Sequence, residues 1–160
     1  MLDRCTVGGR VMGRLLGAIA WLVAACGVAG CGAAGDERVS ANSHGVALGG
    51  YDVITYYQGE DAARIGNPEH RFDYHGVTFF FTSAVNREKF ARQPETFMPQ
   101  YGGYCAIGME FGARLNADPE AYTVAEGKLY LSSSTVFKHL WRWVGDARAA
   151  DAEWQLMLED

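Results

Sequence analysis

Apolar and polar positions alternate along two stretches of the chain, and a dipeptide ending in glycine interrupts each. Residues 71–74 and 77–81 flank His75-Gly76, and residues 122–124 and 128–131 flank Glu126-Gly127. Period-two alternation marks strands, and a type I′ turn needs positive φ at both central positions, which glycine meets at the second. Both stretches therefore read as antiparallel hairpins, with His75 as a turn residue. Residues 51–57, aromatic and β-branched, read as a further strand. Gly66-Asn67-Pro68 and residues 113–121, with a turn at Asp118-Pro119, read as loops.

Helical spacing follows each hairpin. Ser83 stands as N-cap to a helix over 84–92 that turns Phe90 inward and stops at Pro94, and a short turn over 94–98 is closed by Pro99. Gly102-Gly103 leads into a short helix over 104–112, with Cys105 in its first turn. From Ser134 onward, Phe137, Leu140, Trp141 and Val144 recur at i, i+3, i+4 and i+7, which predicts one core-facing stripe. His139 and Trp143 fall on its far side. The pattern as a whole predicts an α+β fold: one small domain of short antiparallel hairpins packed with short helices, over residues 48–145, followed by a helical tail over 146–160. No internal repeat is evident.

The first segment changes the picture from fold to location. Arg4, Arg10 and Arg14 precede an apolar run over 15–25, the order of an export signal. Val28-Ala29-Gly30-Cys31 resembles a lipobox, which implies cleavage before Cys31 and diacylation of it; Cys26 is the competing position. Residues 1–30 then form a lipoprotein signal peptide and 31–47 a flexible tether rich in Gly, Ala, Ser and Asn. A plain anchor helix is the alternative, weakened by Gly27, Gly30, Gly32 and Gly35. Two acyl chains anchor stably. The expected location is a bacterial cell envelope, facing the periplasm, with the outer membrane favoured because Gly32 rather than Asp follows Cys31.

The mature chain would hold 11 basic and 18 acidic residues. No basic stripe interleaved with aromatics occurs, so nucleic acid is not an expected partner. No Gly-rich phosphate cradle and no Cys–His spacing for acyl transfer appears either. Of the four cysteines, Cys5 and Cys26 leave with the signal, Cys31 carries lipid, and Cys105 alone remains in the domain. A thiol without a partner in an oxidising compartment is either buried or kept for a purpose.

Taken in order, Gly50-Tyr51-Asp52-Val53, Phe72-x-Tyr74-x-Gly76-x-x-Phe79-Phe80-Phe81-x-Ser83, Asn86-Arg87-x-x-Phe90, Pro99-Gln100-Tyr101-Gly102-Gly103-Tyr104-Cys105-Ala106, Asp118-Pro119-Glu120-Ala121 and Gly127-Lys128-Leu129-Tyr130-Leu131 resemble the exported YHS-domain proteins, across residues 48–143. The resemblance implies a small α+β domain, and its kinship with TRASH-type modules implies metal handling beside a metal-transport protein. Thr82 and Asn86 stand where those modules carry thiolates, which counts against a TRASH-like zinc site. Some members of the exported branch look like selenoproteins with selenocysteine at the position of Cys105, which implies a redox use of that residue.

Three readings of Cys105 follow. It is a small buried hydrophobe, as free cysteines often are. Or it is a redox thiol in the first turn of a helix, where unpaired N–H groups favour thiolate, acting with an outside thiol partner. Or, with Met109 one helical turn away, it is a soft-metal ligand suited to copper, completed by His44, His70, His75 or His139. Accessory soft-metal binding is the leading expectation, thiol redox the second, and a structural or partner-binding domain the third. Asp52, beside Tyr51, reads as a buried acceptor for a backbone cap or as part of a polar pocket, with structural use the leading expectation.

Overall fold

Hairpin, serine cap and helix occur twice in the computed structural model, which describes residues 38–59 and 61–159. The expected signal peptide, Cys26, Cys31 and the start of the tether lie outside the described residues. Strand β1 (Asn67–Tyr74) pairs antiparallel with β2 (Val77–Phe81), and helix α1 (Ala84–Arg92) follows. Strand β3 (Asp118–Ala125) pairs with β4 (Lys128–Ser132), and helix α4 (Thr135–Val144) follows. Helices α2 (Pro94–Phe97), α3 (Ala106–Glu110) and α5 (Ala147–Glu159) complete an α+β domain. No described helix is long and apolar enough to cross a membrane.

The two halves are copies in register, contrary to the expectation of no repeat. Asn67, Val77 and Ala84 open their elements 51 positions before Asp118, Lys128 and Thr135. Each first strand carries an irregularity at the same place, between Asn67 and Arg71 and between Asp118 and Tyr122. Both turns take the left-handed backbone that two-residue hairpins need: φ is 49° at His75 and 73° at Gly76, then 52° at Glu126 and 74° at Gly127. Ser83 Oγ accepts from the Asn86 N–H, and Ser134 Oγ from the Phe137 N–H. Upstream, Leu48-Gly49-Gly50 and Tyr101-Gly102-Gly103 each run through three left-handed residues, at 53°, 60° and 89° and at 56°, 59° and 88°. A left-handed conformation costs a non-glycine residue about 1–2 kcal/mol, so Leu48 and Tyr101 are held there by tertiary contacts. Both are buried.

Several local expectations yield to tertiary context. Residues 51–57 form no strand: Asp52 Oδ1 accepts the Ile54 N–H and the Asp52 carbonyl accepts the Thr55 N–H, which bends the chain into a 3₁₀ turn at Thr55–Gln58. A short side-chain acceptor competing with the ladder overrides β propensity here. The expected loops at 66–68 and 113–121 give residues to β1 and β3, because the irregularity in each strand lets pairing resume at Asn67 and Asp118.

Residues 38–47, expected as tether, are docked. The Ser40 N–H donates to the Gly102 carbonyl, Val39 is buried, and the Ala47 N–H reaches the Thr78 carbonyl. A Cβ built on Gly102 would land on the Arg38 carbonyl oxygen, so only glycine admits this close approach. The tail is also packed: Ala150 of α5 is buried, and Tyr101 Oη donates to Asp151 Oδ1 at 3.0 Å.

Phe90 is the aromatic hub of the first half, with the rings of Phe79 at 4.9 Å, Phe81 at 5.3 Å, and Phe72 and Tyr74 at 5.9 Å. Trp141, 51 positions on, holds the corresponding place against Tyr130 at 5.2 Å. The α4 stripe is corrected here. Trp141 alone is buried, while Phe137, Leu140 and Val144 are exposed and Trp143 is 86 % exposed. The stripe is real, but the hairpin covers only one edge of it.

Two outcomes test this architecture. Phe90→Ala should cost about 3–5 kcal/mol in urea unfolding, the range for emptying an aromatic core position. Gly102→Ala should release residues 38–40, seen as faster amide exchange at Ser40, while exchange in the Phe90 core changes little.

Candidate functional site

The Gly-Gly-Tyr turns place one acceptor side chain each against the junction of hairpin and helix. In the first half that residue is Asp52, 0 % exposed. Its Oδ2 accepts from the Thr82 N–H and Thr82 Oγ1 at 2.8 Å and from Asn86 Nδ2 at 2.7 Å, and its Oδ1 from the Ile54 N–H at 2.9 Å. Both carboxylate oxygens are hydrogen-bonded, so Asp52 is the buried acceptor its motif suggests.

Cys105 is the counterpart of Asp52. The Asp52 N–H donates to the Arg64 carbonyl at 2.8 Å, and the Cys105 N–H to the Leu115 carbonyl at 2.9 Å. Thr82 and Ser133 each precede their serine cap. The Ser133 N–H donates to Cys105 Sγ at 3.3 Å, and the thiol lies 3.6 Å from Ser133 Oγ, as the Thr82 N–H and hydroxyl meet Asp52. Cys105 is 1 % exposed. It is the N-cap residue of α3 rather than part of its first turn, and its side chain makes no capping hydrogen bond. The expected thiolate-favouring contact with helix N–H groups is therefore absent, because the sulfur is turned toward Ser133.

Met109 lies one turn after Cys105, as the spacing predicts, and is fully buried. The histidines considered as a third ligand lie elsewhere: His44 in an exposed loop, His70 in β1, His75 at the first turn beside Glu95, and His139 exposed on α4. Among the described residues no group of three or more His, Cys, Asp or Glu side chains is placed to hold a metal ion.

The described surface does offer a cleft, and sequence reasoning missed it. A cavity of ≈ 530 Å³ is walled by Tyr56 and Tyr57, Gly59 and Asp61, residues 122–125 of β3, and Lys138, Trp141 and Arg142 of α4. That volume falls within the range of small-molecule sites, about 300–1,000 Å³. Its walls are braced across the halves. Tyr56 Oη donates to the Pro119 carbonyl at 2.9 Å, and Tyr122 Oη donates to the Gly59 carbonyl at 3.0 Å while accepting the Ala62 N–H. Tyr56 and Tyr122 also meet edge to face at 4.7 Å. Two wall residues, Tyr57 and Thr123, carry buried hydroxyls with no hydrogen-bond partner. Burial pushes the Tyr57 phenol up to about 12. No local motif marks this cleft, because its walls come from segments about 60 residues apart that meet only in the fold.

Cys105→Val keeps bulk but removes the acceptor, and should cost about 1–3 kcal/mol through the stranded Ser133 N–H; Cys105→Ser, which can still accept, should lose less in the same urea titration. Equal losses would remove the acceptor role. Iodoacetamide should leave the native thiol unmodified over hours and label it at once in denaturant. Stability should also fall as pH rises from 10 toward 12: the unfolded chain releases its tyrosine protons near 10.0, while Tyr57 in the folded chain holds its proton up to about 12. Urea midpoints at pH 9 and pH 11 check this. No family model, curated protein or solved structure matches the chain.

Proposed function

We propose that this chain is a YHS-type lipoprotein of a bacterial envelope, tethered through Cys31, that works as a binding module and not through its thiol. The family assignment is supported by the ordered motifs from Gly50-Tyr51-Asp52 to Gly127-Lys128-Leu129-Tyr130-Leu131. The export signal and lipobox support the location, with Cys26 as the alternative site of lipidation.

The observation that carries the binding reading is the braced aromatic cleft, set beside a thiol that is already engaged. Cys105 Sγ has its hydrogen-bond donor, is sealed from solvent, and stands where the first half uses a structural aspartate. Soft-metal capture by Cys105 and Met109, or thiol exchange with a partner protein, requires that sulfur to open first. Both readings have less support than the cleft.

Two experiments test the proposal. Amide NMR of the domain from residue 38 onward, titrated with a fragment library, should show hits clustering at Tyr57, Thr123 and Trp141 and persisting in Cys105→Ser. Hits at Cys105 and Met109, or a Cu(I) affinity that drops in Cys105→Ser, would overturn the reading in favour of soft-metal chemistry. In cells, Cys31→Ala should move the protein from the membrane fraction to the soluble one, and Cys26→Ala should not.

A further inference from the structure

The chemistry of the cleft walls is one-sided. Lys138 and Arg142 stand one helical turn apart on the edge of α4 that faces the cavity. Like charges at that spacing repel on a helix surface. Neither has a carboxylate within ion-pair distance among the described residues. Lys138 Nζ lies 5.5 Å from the centre of the Tyr122 ring, a contact that holds the ammonium over the cleft without neutralising it. The same chain carries more acidic than basic residues, so two neighbouring cations with no ion pair among the described residues are not a consequence of composition.

The wall hydroxyls point to the same charge. Tyr57 Oη and Thr123 Oγ1 are buried and without partners, and a buried polar group left unsatisfied costs about 1–3 kcal/mol. Both can donate to an acceptor. The remaining wall is apolar and aromatic, from Tyr56, Tyr122, Val124 and Trp141. Asp61 is the one acid among the described wall residues, and it is exposed.

We propose that the cleft binds a small organic acid with an apolar or aromatic body, its carboxylate held between Lys138 and Arg142 and its body against Tyr56, Tyr122 and Trp141. This rests on the binding reading above and narrows it to a ligand class. The carboxylate supplies a counter-charge to the two cations, and the aromatic wall covers the body. The volume suits a one- or two-ring acid better than a single short-chain acid, which would leave the aromatic wall wet.

The test uses 2-naphthoate and its neutral counterpart 2-naphthamide, titrated into the domain from residue 38 onward and followed by amide NMR. Naphthoate is expected to shift Tyr57, Thr123 and Lys138 resonances and to bind about tenfold more tightly than the amide, the order of one charge-assisted interaction. Lys138→Gln and Arg142→Gln should each remove most of that preference, bringing the naphthoate and naphthamide affinities of the same variant close together. Lys138→Arg should restore it. Equal affinity for acid and amide at the cleft overturns the anion proposal and leaves the cleft reading standing. Absence of naphthoate shifts at the cleft also overturns it, and the fragment titration then decides separately whether the cleft binds anything.

Discussion

Each half of this fold depends on one backbone N–H group that neither the hairpin nor the helix can satisfy. At the end of β2 and of β4 the ladder has stopped, and the serine cap serves a group further on. Thr82 and Ser133 fall in the gap, and their N–H groups are met by a side chain delivered from far upstream by the Gly-Gly-Tyr turn. A partly buried donor left unmet is costly, so its satisfaction helps hold the turn, the second strand and the helix start together. The left-handed backbone at Leu48 and Tyr101 lies on the path that brings residue 52 and residue 105 to these junctions.

The two halves meet this demand with different chemistry, and the difference organises the molecule. Asp52 accepts four hydrogen bonds and recruits Asn86 from α1. Cys105 engages only Ser133, and Phe137 stands where Asn86 does in the first half. A thiol is a weak acceptor, so the second junction leans more on packing: Tyr101, Tyr130 and Trp141 form an aromatic cluster that α5 closes with Ala150 and Trp154. The stretch between the first Gly-Gly-Tyr turn and β1 is thus not a slack connection. Tyr51, Tyr56, Gly59 and Ala62 reach across to Glu120, Pro119 and Tyr122 of the second half, and the cleft is the space left where that crossing meets the edge of α4.

Much of the fold was legible, and specific residues explain where reading failed. The hairpins were readable because His75-Gly76 and Glu126-Gly127 demand positive φ, and the helices because Ser83 and Ser134 cap them; these are local effects, decided within a few residues. The repeat was also present in the letters, in Gly49-Gly50-Tyr51 and Gly102-Gly103-Tyr104. It was hidden by the replacement of Asp52 with Cys105, which drew attention to reactivity when the shared property is acceptance of an N–H. The strand expected over 51–57 failed because a single carboxylate outcompeted six residues of β propensity. The α4 stripe had the right period, but periodicity fixes which residues share a face and not how much of that face another element covers.

The sequence by itself determined the α+β class, the turn and cap positions, and the single thiol in the domain, because each follows from local backbone sterics, side-chain periodicity or simple counting. Only the tertiary structure decided that the thiol is sealed against Ser133, that residues 38–47 dock on Gly102, and that Lys138 and Arg142 border an aromatic cleft. Those outcomes depend on which distant segments come into contact. Burial and unmet hydrogen-bonding capacity are properties of the packed whole, and no window of residues carries them.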